Sequence, residues 1–171
     1  MPRRPLRFPE ISWFLFAVGL GFWLTFLPLL LDRLIFHHEP LPGRLAPTLA
    51  LLVASPAVLC LAWLQLTGRV DETYRIMLFA ALFFVLLVVR LWRLAARSPV
   101  SVAWWTYTFP SAALATALVR YRQQMLGPGP TVLAWGALGM ASVVVAIVAV
   151  ASLGALLATR SPAFRVRQEK H

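Results

Sequence analysis

Charge is scarce in this sequence of 171 residues: 13% of it is charged, with six acidic groups against sixteen basic ones. Soluble domains carry about 25% charged residues, and about 45–50% apolar ones with glycine included. Here 60% are apolar before glycine is counted, and mean hydropathy is +0.77. That excludes an ordinary cytosolic enzyme, a disordered tail and a nucleic-acid-binding module. The net charge of +10 instead reads as the basic loops of a membrane protein. Cysteine is nearly absent, and the lone Cys60 cannot make an internal disulfide; it reads as buried apolar filler. Missing too are a glycine-rich phosphate loop, a nucleophile–base pair and a carboxylate dyad, so catalysis and cofactors have no support. His37-His38 with Glu39 lack third and fourth ligands for a metal centre and read as interfacial loop residues.

What the chain does have is long apolar runs: Ile11–Leu31, Leu45–Gly68, Ile76–Val89, Ser98–Val119 and Thr131–Thr159. A spanning helix needs roughly 20 residues. The third run is short, but Arg90 and Arg93 can snorkel outward and carry its helix to Ala96. The expectation is an all-α membrane protein with five transmembrane helices, over about 10–36, 45–67, 72–96, 100–122 and 131–159. They form one domain, 10–160, between a basic N-terminal tail (1–9) and a basic C-terminal tail (161–171). The first run is too long for a signal-peptide core, and Arg33 closes it without a small-residue cleavage site. Breakers such as Pro40-Leu41-Pro42-Gly43, Ser98-Pro99 and Gly127-Pro128-Gly129-Pro130 mark short turns. The N-terminus and even loops hold Arg3, Arg4, Arg7, Arg69, Arg75, Arg120 and Arg122. The odd loops and C-terminus hold Arg33, Arg44, Arg90, Arg93, Arg97, Arg160, Arg165, Arg167 and Lys170. This thin excess puts the C-terminus in the cytoplasm, the chain being multi-pass in the plasma (inner) membrane with the lipid bilayer as its partner.

Polar content separates the spans. Ile76–Val89 has no polar side chain, the first span has Thr25 deep in it, and the fifth has Ser142 and Ser152. The fourth has Ser101, Thr106, Thr108, Ser111 and Thr116, and the second has Thr48, Ser55 and Gln65. Spans two and four therefore read as internal, the others as peripheral. Pro56 and Pro110 fall mid-span in those two, where each frees the carbonyl four residues earlier, Leu52 and Thr106. Such a proline reads as a packing kink, or as a break whose helix N-terminus suits an anion. Trp13, Trp92 and Trp104-Trp105 near span ends fit aromatic belts. Arg90, Arg93 and Arg97 share a helix face, as membrane anchors or as an anion-attracting vestibule. No ionisable side chain lies mid-span, which argues against proton coupling within the chain.

The string Val102-Ala103-Trp104-Trp105-Thr106-Tyr107-Thr108-Phe109-Pro110 resembles the ninth-helix signature of the tellurite-resistance/dicarboxylate transporter family. That family includes TehA proteins, yeast malate and sulfite transporters and plant slow-type anion channels. Glu10-Ile11-Ser12-Trp13-Phe14 through Arg33 to His38 resembles its sixth helix, and Leu45-Ala46-Pro47-Thr48 through Ala54-Ser55-Pro56-Ala57 its seventh. The resemblance implies helices six to ten of a ten-helix, five-hairpin pore fold, with spans two and four lining the pore. It implies Phe109 as a gate plugging that pore, flanked by Ser55, Pro56, Thr106, Thr108, Pro110 and Ser111 as pore-lining residues. An aromatic packed within a bundle is the other reading of Phe109.

The resemblance further implies transport of small anions, of C4-dicarboxylate, tellurite-resistance or chloride/nitrate type, as part of a complete ten-helix unit and in trimers. Counterparts of the family's first five helices are missing, and Arg3, Arg4 and Arg7 fall on the extracytoplasmic side against the usual bias. The expectation is a fragment, a split gene or a misplaced start, with a second chain carrying the other half as the alternative. A non-transporting membrane subunit with a scaffolding role is the competing reading of function.

Overall fold

The computed structural model describes residues 8–36, 49–95 and 102–160. Within these lie five α-helices: α1 Pro9–Phe36, α2 Leu49–Thr67, α3 Glu72–Ala95, α4 Thr108–Gln124 and α5 Pro128–Arg160, with a 3-10 helix, Val102–Tyr107, leading into α4. By length and apolarity α1, α2, α3 and α5 are each able to cross a membrane. The segments 1–7, 37–48, 96–101 and 161–171 lie outside the described residues, and with the first of them the N-terminal arginines Arg3, Arg4 and Arg7. So do the sequence features within them: His37-His38-Glu39, the Pro40–Gly43 turn, Arg97, Ser101 and the basic C-terminal tail.

The fourth segment departs from the expected continuous span. It opens with the six-residue 3-10 helix and continues as a 17-residue α-helix. Pro110 is thus in the first turn of α4 rather than in its middle. The α-helical N–H groups of a first turn have no intrahelical acceptor, so the missing proline N–H costs nothing there. Extending the α-helix backward would drive the proline ring into the Thr106 carbonyl, so the ladder starts just ahead of Pro110. Pro56, by contrast, does sit inside α2. A third proline, Pro28, lies inside α1, one turn beyond Thr25, whose hydroxyl donates to the Gly21 carbonyl at 2.9 Å.

Helices α2 and α4 form the centre. In the most apolar stretch of α2 half the residues are buried, against 6% in α1 and 17% in α5. Helix α2 packs against α1, α3 and α4, and α4 packs against α2, α3 and α5. The contact surfaces carry small residues: Ala54 and Ala57 on α2, Ala81 on α3, Ala113 and Ala117 on α4, Ala137 and Ala141 on α5. Small side chains let helices approach closely, which is how helices associate where lipid removes the hydrophobic drive. Helix α3 has no polar residue in its apolar stretch yet is two-faced. Ile76, Phe79, Phe83, Leu86 and Val89 point outward, and Tyr74, Leu78, Ala81 and Phe84 point inward. Periodicity in exposure here follows packing, not polarity.

Polar bolts join the hairpins. Fully buried Tyr74 donates its hydroxyl to the Ala117 carbonyl of α4 at 2.7 Å, and Cys60 Sγ donates to the Tyr74 carbonyl at 3.6 Å. In the α2–α3 turn, Gly68 takes φ +69°, a left-handed conformation that glycine adopts without strain, and its N–H reaches the Leu64 carbonyl at 2.7 Å. Asp71 precedes α3 as its N-cap, accepting from the Tyr74 N–H (3.1 Å) and the Trp63 indole N–H (2.8 Å). The neighbouring Val70 N–H donates to Gln124 Oε1 at 2.9 Å, tying this turn to the end of α4.

Partial burial works against ionisation of Asp71, but the Tyr74 and Trp63 donors, together with Arg69 at 3.9 Å, hold its carboxyl below the usual range. A carboxylate whose folded pKa is depressed contributes stability above its unfolded value, about 3.9, and loses it as pH falls through the folded value. Thermal unfolding in detergent is therefore expected to drop as pH descends from about 4. Asp71→Asn, which keeps a carbonyl acceptor, should have a flat profile in that window. Asp71→Ala should cost about 1 kcal/mol at neutral pH through loss of the cap. Superimposable acid profiles for wild type and the Asn variant would contradict this assignment.

Candidate functional site

The outward face of α4 is unusual for a bundle this apolar. Phe109, Ala112, Thr116, Arg120 and Gln123 recur at three- and four-residue steps, and every one is exposed; Phe109 is 62% exposed. Thr106 is exposed just ahead of them. A groove of about 670 Å³ follows this face between α4 and α5, lined among others by Thr116, Arg120, Gln123, Leu138 and Ser142. It has a hydroxyl on each wall and a guanidinium at one end. Arg120 Nη1 donates to Gln123 Oε1 at 3.2 Å, and no carboxylate pairs with it among the described residues. Helix α2 exposes a parallel strip, Leu51, Val58 and Gln65, with half-buried Ser55 between them.

Five of the hydroxyls are turned onto backbone. Thr116 donates to the Ala112 carbonyl (2.8 Å), Ser142 to Leu138 (2.9 Å) and Ser55 to Leu51 (3.0 Å). Thr108 donates to the Trp105 carbonyl (2.7 Å) and Ser111 to Thr108 (2.8 Å), together closing the junction between the 3-10 helix and α4. A hydroxyl satisfied in this way can sit in an apolar helix at little cost. Rotation about one bond turns its proton outward toward an anion.

The residues expected around Phe109 divide between two sides of α4. Phe109 and Thr106 lie on the open side. Pro110 and Ser111 are buried on the other, where with Tyr107 they border an apolar cavity of about 430 Å³ lined by Ala50 and Val53 of α2 and by Val85 of α3. Thr108 is half-buried between the two sides, and Pro56 is fully buried within α2. The 3-10 helix is also tied to α5, through Trp105 Nε1 donating to Ser152 Oγ at 3.0 Å. Sequence reasoning counted Arg120 only as a loop charge and left Gln123 out. The 112–116–120 spacing carries the signal that puts Arg120 on the Thr116 face. Among the described residues no group of His, Cys, Asp and Glu stands ready to hold a metal ion.

These features define an all-α, multi-pass membrane protein whose internal helix α4 carries one polar face with no carboxylate paired to it among the described residues. Residues 2–155 match the voltage-dependent anion channel family (SLAC1), and the chain belongs to that family. It is similar to three channels of Arabidopsis thaliana. S-type anion channel SLAH2 is 36% identical over 120 residues, 70% of this chain and 23% of that one. Guard cell S-type anion channel SLAC1 is 33% identical over 118 residues, 69% of this chain and 21% of that one. S-type anion channel SLAH1 is 32% identical over 121 residues, 70% of this chain and 31% of that one. The aligned part therefore spans about a fifth to a third of the length of these relatives.

Proposed function

We propose that this chain contributes the α2–α4 side of a path for small anions across the plasma membrane, with its C-terminus in the cytoplasm. The observation that carries the reading is the open face of α4: exposed Phe109, with Thr106 about one turn before it and Thr116 two turns after it, and Arg120 near the end, with no acid paired to it among the described residues. A face of that composition is poorly suited to lipid along its length, because exposed hydroxyls leading to a guanidinium and a primary amide in the last turn of the helix favour contact with protein or water. Membership of an anion-channel family supports the same reading. In this account further helices, from a companion segment or from copies of the chain in a trimer, close the path on that side. Phe109 is then its gate, with Thr106, Thr108 and Ser55 near the path, and with Pro56, Pro110 and the buried Ser111 shaping the helices that bear them.

The groups available favour a monovalent anion of chloride or nitrate type over a C4-dicarboxylate or a tellurite-related species. Back-bonded hydroxyls exchange a carbonyl for the anion at nearly constant hydrogen-bond number, which suits a weakly hydrated single charge. A dianion needs fixed cations within the span to repay its dehydration, and the described spans carry none at their middle.

The test is anion flux. Proteoliposomes carrying the chain with a five-helix companion segment from a family member are expected to pass chloride and nitrate in preference to sodium and malate. A stable complex that passes no anion would overturn this reading in favour of a scaffolding subunit.

A further inference from the structure

The turn between α4 and α5 holds cations that no acid among the described residues neutralises. At this end of the bundle Arg69, Arg75, Arg120 and Arg122 face two acids, Asp71 and Glu72, and the single ion pair among the described residues is Arg69–Asp71. Arg122 is oriented rather than paired. Its Nε donates to Thr131 Oγ1 at 3.3 Å, and its guanidinium carbon lies 5.9 Å from the centre of the Trp135 ring. These two contacts fix the plane of the guanidinium and leave both Nη groups without a partner among the described residues.

A hollow of about 300 Å³ opens beside it, lined by Arg122, Gln123, Met125, Leu126, Gly127 and Thr131. Against Met125, on whose Sδ its Nη2 rests at 3.2 Å, stands Arg75, with a buried Nε that meets no acceptor. Two guanidinium groups thus flank one thioether with no carboxylate between them. Leu126 is fully exposed and Trp135 is 60% exposed at the same level. The hollow lies where the chain leaves one helix and enters a long apolar one, the level at which lipid headgroups meet aromatic and basic side chains.

We propose that this elbow binds the phosphate of an anionic phospholipid, with Arg122 as the direct contact and Leu126 and Trp135 against the lipid's glycerol and acyl carbons. A guanidinium held flat with both Nη groups free matches the paired oxygens of a phosphate. The exposed leucine and indole gain nothing from a free anion but are covered by an acyl chain, which selects the lipid as the source. A headgroup with its own quaternary ammonium brings a further cation toward Arg122 and Arg75, so the zwitterionic lipid binds less well. The proposal is independent of the permeation reading, because Arg122 lies outside the Phe109–Thr116–Arg120 face.

The test is a lipid titration of the full chain in detergent, read by native mass spectrometry. Dioleoyl phosphatidylglycerol is expected to bind as one tight lipid per chain, about tenfold more strongly than dioleoyl phosphatidylcholine. Arg122→Gln should lower phosphatidylglycerol affinity about tenfold and erase the preference, with an unchanged unfolding temperature because the side chain is exposed. Arg90→Gln, an exposed arginine at the opposite end of α3, should change neither. Equal phosphatidylglycerol affinity in wild type and Arg122→Gln would overturn the site. Displacement of the lipid by inorganic phosphate would equally overturn it, by pointing to a free anion as occupant.

Discussion

Phe109→Ala, in vesicles carrying the chain with its companion helices, is expected to raise chloride and nitrate flux at least tenfold, an obstacle of about 1.4 kcal/mol or more. A phenyl ring offers a dehydrating anion no hydrogen bond, so it opposes passage as a hydrophobic constriction does. In this structure the ring is fastened at its base and free at its tip. Thr108 and Ser111, on either side of it, bind the backbone of the 3-10 junction, while the ring itself is 62% exposed on the open face. Truncation therefore removes the obstacle without loosening the helix start, and the unfolding temperature should stay put. Phe109→Leu, which keeps the apolar bulk, should stay near wild type. Flux in Phe109→Ala equal to wild type would remove the ring from the path and leave it as a packing aromatic.

Tyr74→Ala should be the most destabilising single change in the described bundle, at about 3–5 kcal/mol. The side chain is wholly buried among α2, α3 and α4, and its hydroxyl reaches the Ala117 carbonyl beside an alanine with no exposed surface. Removing it leaves a ring-sized void between helices whose small residues are already at close approach and cannot collapse further. Tyr74→Phe keeps the volume and loses one hydrogen bond, so it should cost about 1 kcal/mol. Denaturant titration in mixed micelles measures both. A cost below 1 kcal/mol for the alanine variant would mean that α3 is not anchored to α4 through this residue. A loss that spares α2–α3 but frees α4 would show as early proteolysis between Gln124 and Pro128.

Much of the arrangement around α4 follows from residue types that sequence makes plain. Hydroxyl-rich segments two and four became the central helices because a hydroxyl bonded to its own helix is tolerable in a bundle interior, whereas Ile76–Val89 had no polar group to hide. The Trp104–Pro110 string announced its family because bulky aromatics, threonines and a proline in that order are rarely shared by chance. The interior of the fourth segment was less legible. A proline read within an apolar run looks mid-helical, and only the backbone path reveals that the α-helix starts two residues earlier. Pro28 was missed for the converse reason: it lies in a uniformly apolar helix with a single threonine to mark it.

Composition and run length by themselves determined that this chain spans a membrane with helices, since continuous apolar runs of about 20 residues suit a spanning helix and not the short alternating strands of a barrel. They also marked α2 and α4 as the two central helices, although of their hydroxyls only that of Ser111 is buried among the described residues. Tertiary structure alone decided that Phe109 and Ser111, two residues apart, lie on opposite sides of α4, one exposed and the other buried beside an apolar cavity. It alone left the Thr116–Arg120 face uncovered and brought Arg122 over Trp135. Facing direction depends on where a helix begins and on which neighbour covers each side, and both are set by packing between segments far apart in the chain.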